Sequence, residues 1–158
     1  AVYSTTGLEH SVTGNPNYEE EVHSMMTAKR FRKFESMVED LPEADILGEE
    51  TADIGIAGWG STIGSILEGM EIAKKQGVKT KLIKSIMIHP QHEDSFRKFF
   101  ASCKKIIVPE MNYQGQYAAL LKSRYGIKPI EIHIPSVNPV SPLKIAQKIM
   151  ETSSELSQ

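Results

Sequence analysis

The sequence predicts a three-layer αβα domain, of the α/β class, around a short mixed, mainly parallel sheet. Two observations carry that prediction. From residue 53 onward, short apolar runs alternate with amphipathic stretches of helical period, as expected of strands joined by helical crossovers. The run over residues 53–57 is also small and, after Asp53, apolar throughout, without the alternation of a half-wet strand, which places it inside a sheet covered on both faces.

The elements follow in order. Residues 1–16 carry Ser, Thr, Gly, Asn and Pro with no period and read as a loop. Asn17 with Glu20 forms a capping-box pattern, and Val22, Met25, Met26, Phe34, Met37, Val38 and Leu41 recur at helical spacing, so a long helix ends near Leu41, before Pro42. Residues 46–48 and 53–57 read as strands across a Glu49-Glu50-Thr51 turn, and a connection that tight makes the first of them antiparallel. A helix over about 62–76 is stopped by Gly77 in the C′ position. Next come a strand over 81–88, a helix with Pro90 in its first turn running to about 102, a strand over 106–108, and a helix over 113–125 stopped by Gly126. Ile130, Ile132 and Ile134 alternate with Glu131 and His133 behind Pro129, which describes an edge strand with one wet face. Ser141-Pro142 opens a last helix carrying Leu143, Ala146, Ile149 and Met150 on one side, and a Ser-rich tail frays from residue 151. The domain organisation is therefore a loop and linking helix over 1–44, an α/β domain over 45–150, and a tail over 151–158.

Composition narrows the function. The 158 residues, 40% hydrophobic, suffice for one core. Eighteen basic against twenty acidic side chains give a formal net charge of -2, without the global positive field of a nucleic-acid binder. A single cysteine, Cys103, can build neither a disulfide framework nor an iron-sulfur cluster. No apolar run approaches the roughly 20 residues of a bilayer span, and the polar start lacks a signal peptide's apolar core, so no membrane partner and a cytoplasmic location are expected.

Two strand-to-helix turns are the leading candidate sites, since the carboxyl ends of strands face the crevices of open α/β sheets. The first, with Gly58, Gly60, Ser61, Thr62 and Gly64, could offer backbone N–H groups to an anion, or its glycines could simply let helix and sheet approach closely. It lacks the spacing of a dinucleotide fold and the lysine of a P-loop. In the second, Glu110 could act as a general base; alternatively Asn112 caps the next helix while Tyr113 and Gln114 meet a neighbouring domain. Glu9 and His10, in a loop with Gly7 and Gly14, have the chemistry of a general acid-base pair, although adjacent residues rarely act together on one substrate. His89, His92, Glu93 and Asp94 match no metal signature, and acids at a helix start are explained by the helix dipole. His23 and His133 stand alone in sequence, Cys103 reads as buried filler, and Lys29, Arg30, Arg32 and Lys33 form either a solvated helix face or a phosphate contact.

Four segments, spanning the chain from Thr6 to about the last strand, resemble the α subunit of the 2-oxoacid:ferredoxin oxidoreductases. They are Glu110-Met111-Asn112-Tyr113-Gln114-Gly115-Gln116; Thr6-Gly7-Leu8-Glu9-His10 followed by Gly14; Met25-Met26-Thr27-Ala28-Lys29-Arg30-Phe31-Arg32-Lys33; and Gly58-Trp59-Gly60-Ser61-Thr62-Ile63-Gly64. The resemblance implies a carboxyl-terminal piece of that subunit, beginning at Ala1, with a fold similar to the transketolase C-terminal domain. It also implies an enzyme that converts a 2-oxoacid, coenzyme A and oxidised ferredoxin to acyl-CoA, carbon dioxide and reduced ferredoxin, using thiamine pyrophosphate, Mg and iron-sulfur clusters. On that reading those cofactors lie between a preceding domain, a β subunit and other parts of the complex. The present chain then binds none of them, holds no catalytic or metal-ligating residue, and is inactive alone. Gly7, Glu9, His10, Gly14, Glu110, Asn112, Tyr113, Gln114 and Gly115 become contacts to the preceding domain or the β subunit, with Glu9 and His10 as a hydrogen-bonded interdomain latch. The residues that choose the 2-oxoacid, whether pyruvate or 2-oxoglutarate, are expected outside the chain. The alternatives are a free-standing nucleotide- or anion-binding module using the turn over 58–64, and an interaction domain for some other protein.

Overall fold

A computed structural model describes residues 5–158, so the first four residues of the expected loop lie outside the description. The chain divides into two compact units, Ala1–Leu41 and Pro42–Gln158.

The first unit has a looped segment and helix α1, Glu20–Asp40. The loop folds back on itself: His10 bridges Pro16, Ser11 N–H bonds Asn15 O at 2.9 Å, and Gly14 takes the left-handed φ of 83° that the reversal needs. The expected capping box does not form: Glu19, two residues after Asn17, takes the N-cap position without a side-chain capping bond, and Asn17 Oδ1 instead accepts from Glu19 N–H at 2.7 Å, bracing the turn ahead of the helix. Acidic Glu20 and Glu21 then sit where the helix dipole favours them. The helix stops at Leu41, whose extended backbone suits a residue before proline.

The second unit contains β1 Asp45–Gly48, β2 Ile54–Trp59, α2 Thr62–Lys75, β3 Thr80–Ser85, α3 Glu93–Ala101, β4 Lys105–Glu110, α4 Gln116–Tyr125, β5 Ile130–His133 and α5 Pro142–Leu156. Its five strands run in the order β1-β3-β2-β4-β5, with only β1 antiparallel. β2 is central and buried along most of its length, and β5 forms an edge, as the apolar patterns predict. Two cores flank the sheet. On one face Ile54, Ile56, Leu82 and Ile107 pack with Ile66 and Met70 of α2 and Ile145 and Ile149 of α5. On the other, Ala57, Ile83, Ile106 and Val108 pack with Phe96, Phe99 and Phe100 of α3 and Tyr117, Ala118 and Leu121 of α4. This is the expected three-layer arrangement.

Local chemistry explains the boundaries. α2 ends in a Schellman motif: Gly77 at φ 83° gives its N–H to Lys74 O, and Val78 N–H reaches Ala73 O. α4 ends at Gly126, φ 68°. Four expectations are corrected. β1 keeps its predicted direction but pairs with β3 instead of β2, because β2 is already paired on both sides by parallel strands. β3 ends at Ser85, leaving Ile86 exposed. α3 begins at Glu93 and not at Pro90, because His92 supplies the cap through Nδ1, which accepts from Ser95 N–H at 3.4 Å. The tail does not fray at residue 151: α5 continues to Leu156, held by Leu156 packing on the core and by Thr152 Oγ1 donating to Lys148 O at 2.8 Å.

Candidate functional site

The strand order fixes where a site can form. From β2 the chain crosses to β3 on one side and returns to β4 on the other, so the carboxyl ends of β2 and β4 flank the topological switch point of the parallel strands. A crevice of about 320 Å³ opens there, lined by Trp59, Ser61, Thr62, Glu110, Met111 and Asn112. Both turns singled out from the sequence therefore meet in one place.

The three glycines of the first turn do different things. Gly58 lies within β2, and a side chain there would collide with Ile66 Cδ1 and sit 3.2 Å from Ile63 Cδ1, so this glycine allows α2 to lie close on the sheet. Gly60 faces open space and is required only by its left-handed φ of 57°. Gly64 also faces open space. The close-approach reading holds for Gly58 and fails for the other two. At the start of α2, Thr62 Oγ1 donates to Trp59 O at 2.6 Å, while Ser61 in the N-cap position makes no capping bond.

The second turn is organised by Glu110, which is 1% exposed. Oε2 accepts from Tyr117 N–H and Oε1 from Ala118 N–H, both at 2.8 Å, and Asn112 Nδ2 donates to Oε2 at 2.5 Å. A carboxylate at the last residue of β4 thus closes the amino end of α4, where helix N–H groups lack partners and the dipole favours negative charge. Three bonds occupy most of the carboxylate's roughly four acceptor positions, and at 1% exposure the group is turned into the fold, so the geometry speaks against the general-base alternative. Asn112 does not hold the N-cap position, which falls to Gly115, but it still serves the helix start, its Oδ1 accepting from Gln116 N–H at 2.9 Å. Gly115, φ 63°, starts the helix later than Tyr113, and any side chain on it would lie 2.5 Å from His133 Nε2 and 2.7 Å from Glu131 Oε2. Those two groups pair at 2.7 Å, and Lys122 reaches the other oxygen of Glu131 at 3.0 Å. Lys122, then His133, holds the Glu131 carboxyl below its ordinary range. Tyr113, 82% exposed, and Gln114 point to solvent.

Beneath the crevice lies a buried polar network that the sequence does not reveal. Tyr117, its ring 6.3 Å from Trp59, shares a hydrogen bond with Ser85, and Gln91 donates to both at 3.4 Å while accepting from Tyr125 Oη at 2.9 Å. Burial, outweighing those bonds, pushes the Tyr117 phenol up to about 12. Four isolated polar residues carry no periodicity or motif, so only the fold assembles them.

The remaining candidates have local partners. His92 caps α3, Glu93 receives Arg124 at 3.0 Å and Arg97 at 3.3 Å, and Arg124 also reaches His89 Nδ1 at 3.1 Å. Cys103 is half-buried, its thiol donating to Phe99 O at 3.2 Å and pushed up by burial. Within the first unit, Glu9 takes a two-pronged contact from Arg30 at 2.9 and 2.7 Å and a further one from His23 at 3.2 Å, and His10 Nε2 meets Thr6 Oγ1 at 3.2 Å. Arg30 thereby leaves the basic cluster, whose other members Lys29, Arg32 and Lys33 share a groove on α1 with Glu35, Ser36 and Glu39. Gly7 has nothing within 4 Å of a potential side chain.

The Glu9 contact has a pH signature. The hydrogen bond from Arg30 holds its carboxyl at about 2, below the ordinary value of 4.5. A depressed carboxyl stabilises the ordered loop fully above its unfolded value and loses that contribution as pH falls through the folded one. Amide exchange over residues 9–17, corrected for intrinsic rates, is expected to speed up as pH drops from 4.5 toward 2, and Arg30→Gln should abolish that acid step.

The pyruvate:ferredoxin oxidoreductase core domain II family profile matches residues 52–140. The α subunit of 2-oxoacid:ferredoxin oxidoreductase 2 from Aeropyrum pernix is 29% identical over 95% of this chain and 24% of its own length. The solved 2-oxoglutarate:ferredoxin oxidoreductase from Magnetococcus marinus, with 2-oxoglutarate, coenzyme A and succinyl-CoA bound, is 38% identical with a TM-score of 0.77, over 96% of this chain and 27% of that one. A split-gene transketolase, at 13% identity and a TM-score of 0.56 over 70% of this chain and 41% of that one, shares the fold. The chain thus spans about a quarter of the length of the two oxidoreductase relatives.

Proposed function

The chain belongs to the pyruvate:ferredoxin oxidoreductase core domain II family, and on that premise we propose that it serves as a non-catalytic, architectural domain of the α subunit of a 2-oxoacid:ferredoxin oxidoreductase. The observation that carries this reading is Glu110. It is the buried carboxylate at the switch point, where a catalytic group would stand, and its oxygens are given over to holding α4.

The complete enzyme would convert a 2-oxoacid, coenzyme A and oxidised ferredoxin to acyl-CoA, carbon dioxide and reduced ferredoxin in the cytoplasm, with thiamine pyrophosphate supplying the carbanion chemistry. For the iron-sulfur cluster and the metal ion that the family implies, the donor set of this chain is a poor match. One cysteine cannot ligate an iron-sulfur cluster, and the described residues contain no group of three or more His, Cys, Asp or Glu placed to hold a metal ion such as Mg. The chain's part is contact. The exposed Tyr113 and Gln114, with Asn112 beside them, face a β subunit or the rest of the α subunit, while the expected contact at Gly115 gives way to a buried turn packed on His133 and Glu131; the ordered loop carrying Gly7, Glu9, His10 and Gly14 meets the preceding domain. Among the described residues no helix is long and apolar enough to cross a membrane.

The test is an assay of the purified 158-residue chain with pyruvate or 2-oxoglutarate, coenzyme A and a viologen dye. No reduction above background is expected, and turnover by the chain alone would sink the architectural reading.

A further inference from the structure

We infer that residues 89–92, between β3 and α3, form an acid-sensitive clasp: two histidines that fit only as neutral imidazoles hold Gln91 in place, and protonating them releases the start of α3 and loosens the polar network beneath the crevice. Its operation does not depend on the architectural role proposed above.

Both rings accept at Nδ1. Arg124 Nη1 lies 3.1 Å from His89 Nδ1, and a guanidinium has donors only, so the ring atom facing it carries a lone pair. His92 Nδ1 accepts from Ser95 N–H at 3.4 Å and lies 2.8 Å from Ser95 Oγ. That hydroxyl accepts from Ala44 N–H at 3.3 Å, which leaves its own proton for His92. Each ring is thereby fixed as the neutral tautomer with its proton on Nε2. A proton added at Nδ1 sets donor against donor in both places, and at His89 it also sets positive charge against positive charge. At His92 it removes the capping acceptor and puts a cation at a helix amino end, where the dipole opposes it.

Between the two histidines stands Gln91, 2% exposed, which donates to Ser85 and Tyr117 and accepts from Tyr125. Residues 86–92 belong to no helix or strand, so the backbone that carries Gln91 depends on the contacts flanking it. Through Tyr117, whose ring lies against Trp59, the segment connects to the crevice wall. His89 is exposed and His92 partly so, which lets protons reach both rings.

The charged groups around the clasp are Glu93, Asp94 and Arg97 of α3, Arg124 of α4, and Glu43 and Asp45 on either side of Ala44. Arg124, ahead of Arg97, holds the Glu93 carboxyl below its ordinary range, so the Arg124–Glu93 pair survives mild acid and α4 keeps its hold on α3 while the histidines let go. Asp45 is paired with Lys84 at 3.3 Å, and Asp94 and Glu43 are exposed, where water and salt screen them. Imidazole ordinarily changes charge between about pH 5 and 8. Bonds made by its neutral form are present above that range and lost as pH falls through it, so acid opens the clasp.

The test is amide hydrogen exchange of the complete protein at about pH 7.5 and about pH 5.5, corrected for intrinsic rates and read by peptide mass spectrometry. Peptides over residues 89–101 are expected to exchange at least ~5-fold faster at the lower pH, and a peptide within α5 equally at both. His92→Asn keeps a capping side chain and His89→Gln keeps a carbonyl for Arg124, yet neither can be protonated in this range, so the double variant should exchange alike at the two pH values. Equal exchange in the parent, or an acid step that survives in the double variant, would overturn the clasp. Should the double variant fail to fold, ring Cε1 deuterium exchange in the parent decides, since it gives the titration midpoint of each histidine. Midpoints of His89 and His92 that coincide with the amide step support the clasp, and an amide step away from both overturns it.

Discussion

Glu110→Ala is expected to destabilise the 158-residue chain by about 3 kcal/mol, which for a chain of this size lowers the melting temperature by roughly 6–12 °C. The magnitude follows from what the carboxylate leaves behind. Tyr117 N–H and Ala118 N–H lose their acceptor in a buried place, and Asn112 loses the partner that orients it for Gln116. Each orphaned donor costs about 1–3 kcal/mol, and the favourable placement of negative charge at the α4 amino end goes with them. Glu110→Gln should fall between the two, because an amide retains one acceptor but turns a donor toward one of the N–H groups. Circular dichroism melts of the three proteins check this. A Glu110→Ala chain that melts like the parent while the complete enzyme loses turnover would instead make Glu110 a chemical group, contrary to its geometry.

Glu110 also marks what the sequence reveals and what it withholds. The layered fold was legible because burial writes itself into periodicity: the unbroken small apolar run of β2 announces a central strand, and the alternation of Ile130, Ile132 and Ile134 an edge. Helix ends were legible where glycine is obligatory, at Gly77 and Gly126. Both turns at the switch point were found because glycine and polar residues after a strand mark crevice edges. The failures share one cause, which is that they depend on who stands next to whom. That β1 pairs with β3 is set by the order of the sheet, and no local pattern encodes it. Which glycine of the first turn meets α2 depends on side-chain directions along β2, so the close contact falls at Gly58 and not at Gly60 or Gly64. His23 and His133, alone in sequence, each find a glutamate in space. The network of Ser85, Gln91, Tyr117 and Tyr125 joins the end of β3, the segment before α3 and the two ends of α4, each residue unremarkable alone.

The same logic makes glycines in α2 the sharpest test of the packing. Gly69→Val should cost about 3 kcal/mol, the upper part of the range for overpacking, because the new Cβ would sit 2.9 Å from Ile145 Cγ2 and 3.0 Å from both Ile145 Cβ and Pro142 O. A flexible side-chain tip could swing aside, but Pro142 O belongs to the backbone at the first turn of α5, so relief requires α5 to move away from α2. That shift would open the core formed by Ile66, Met70, Ile145 and Ile149. Gly64→Ala, in the same helix, should do the opposite. Nothing lies within 4 Å of its added methyl and its φ is not left-handed, so replacing glycine should stabilise by about 0.5–1 kcal/mol through the smaller entropy lost on folding. Urea titrations of the two variants beside the parent measure both effects on one scale. Opposite shifts in midpoint at unchanged slope would establish that α2 is pinned to α5 at Gly69 and free at Gly64. If Gly69→Val were neutral, the two helices would be separable, and α5 could not be part of the wall that holds the sheet beneath the crevice.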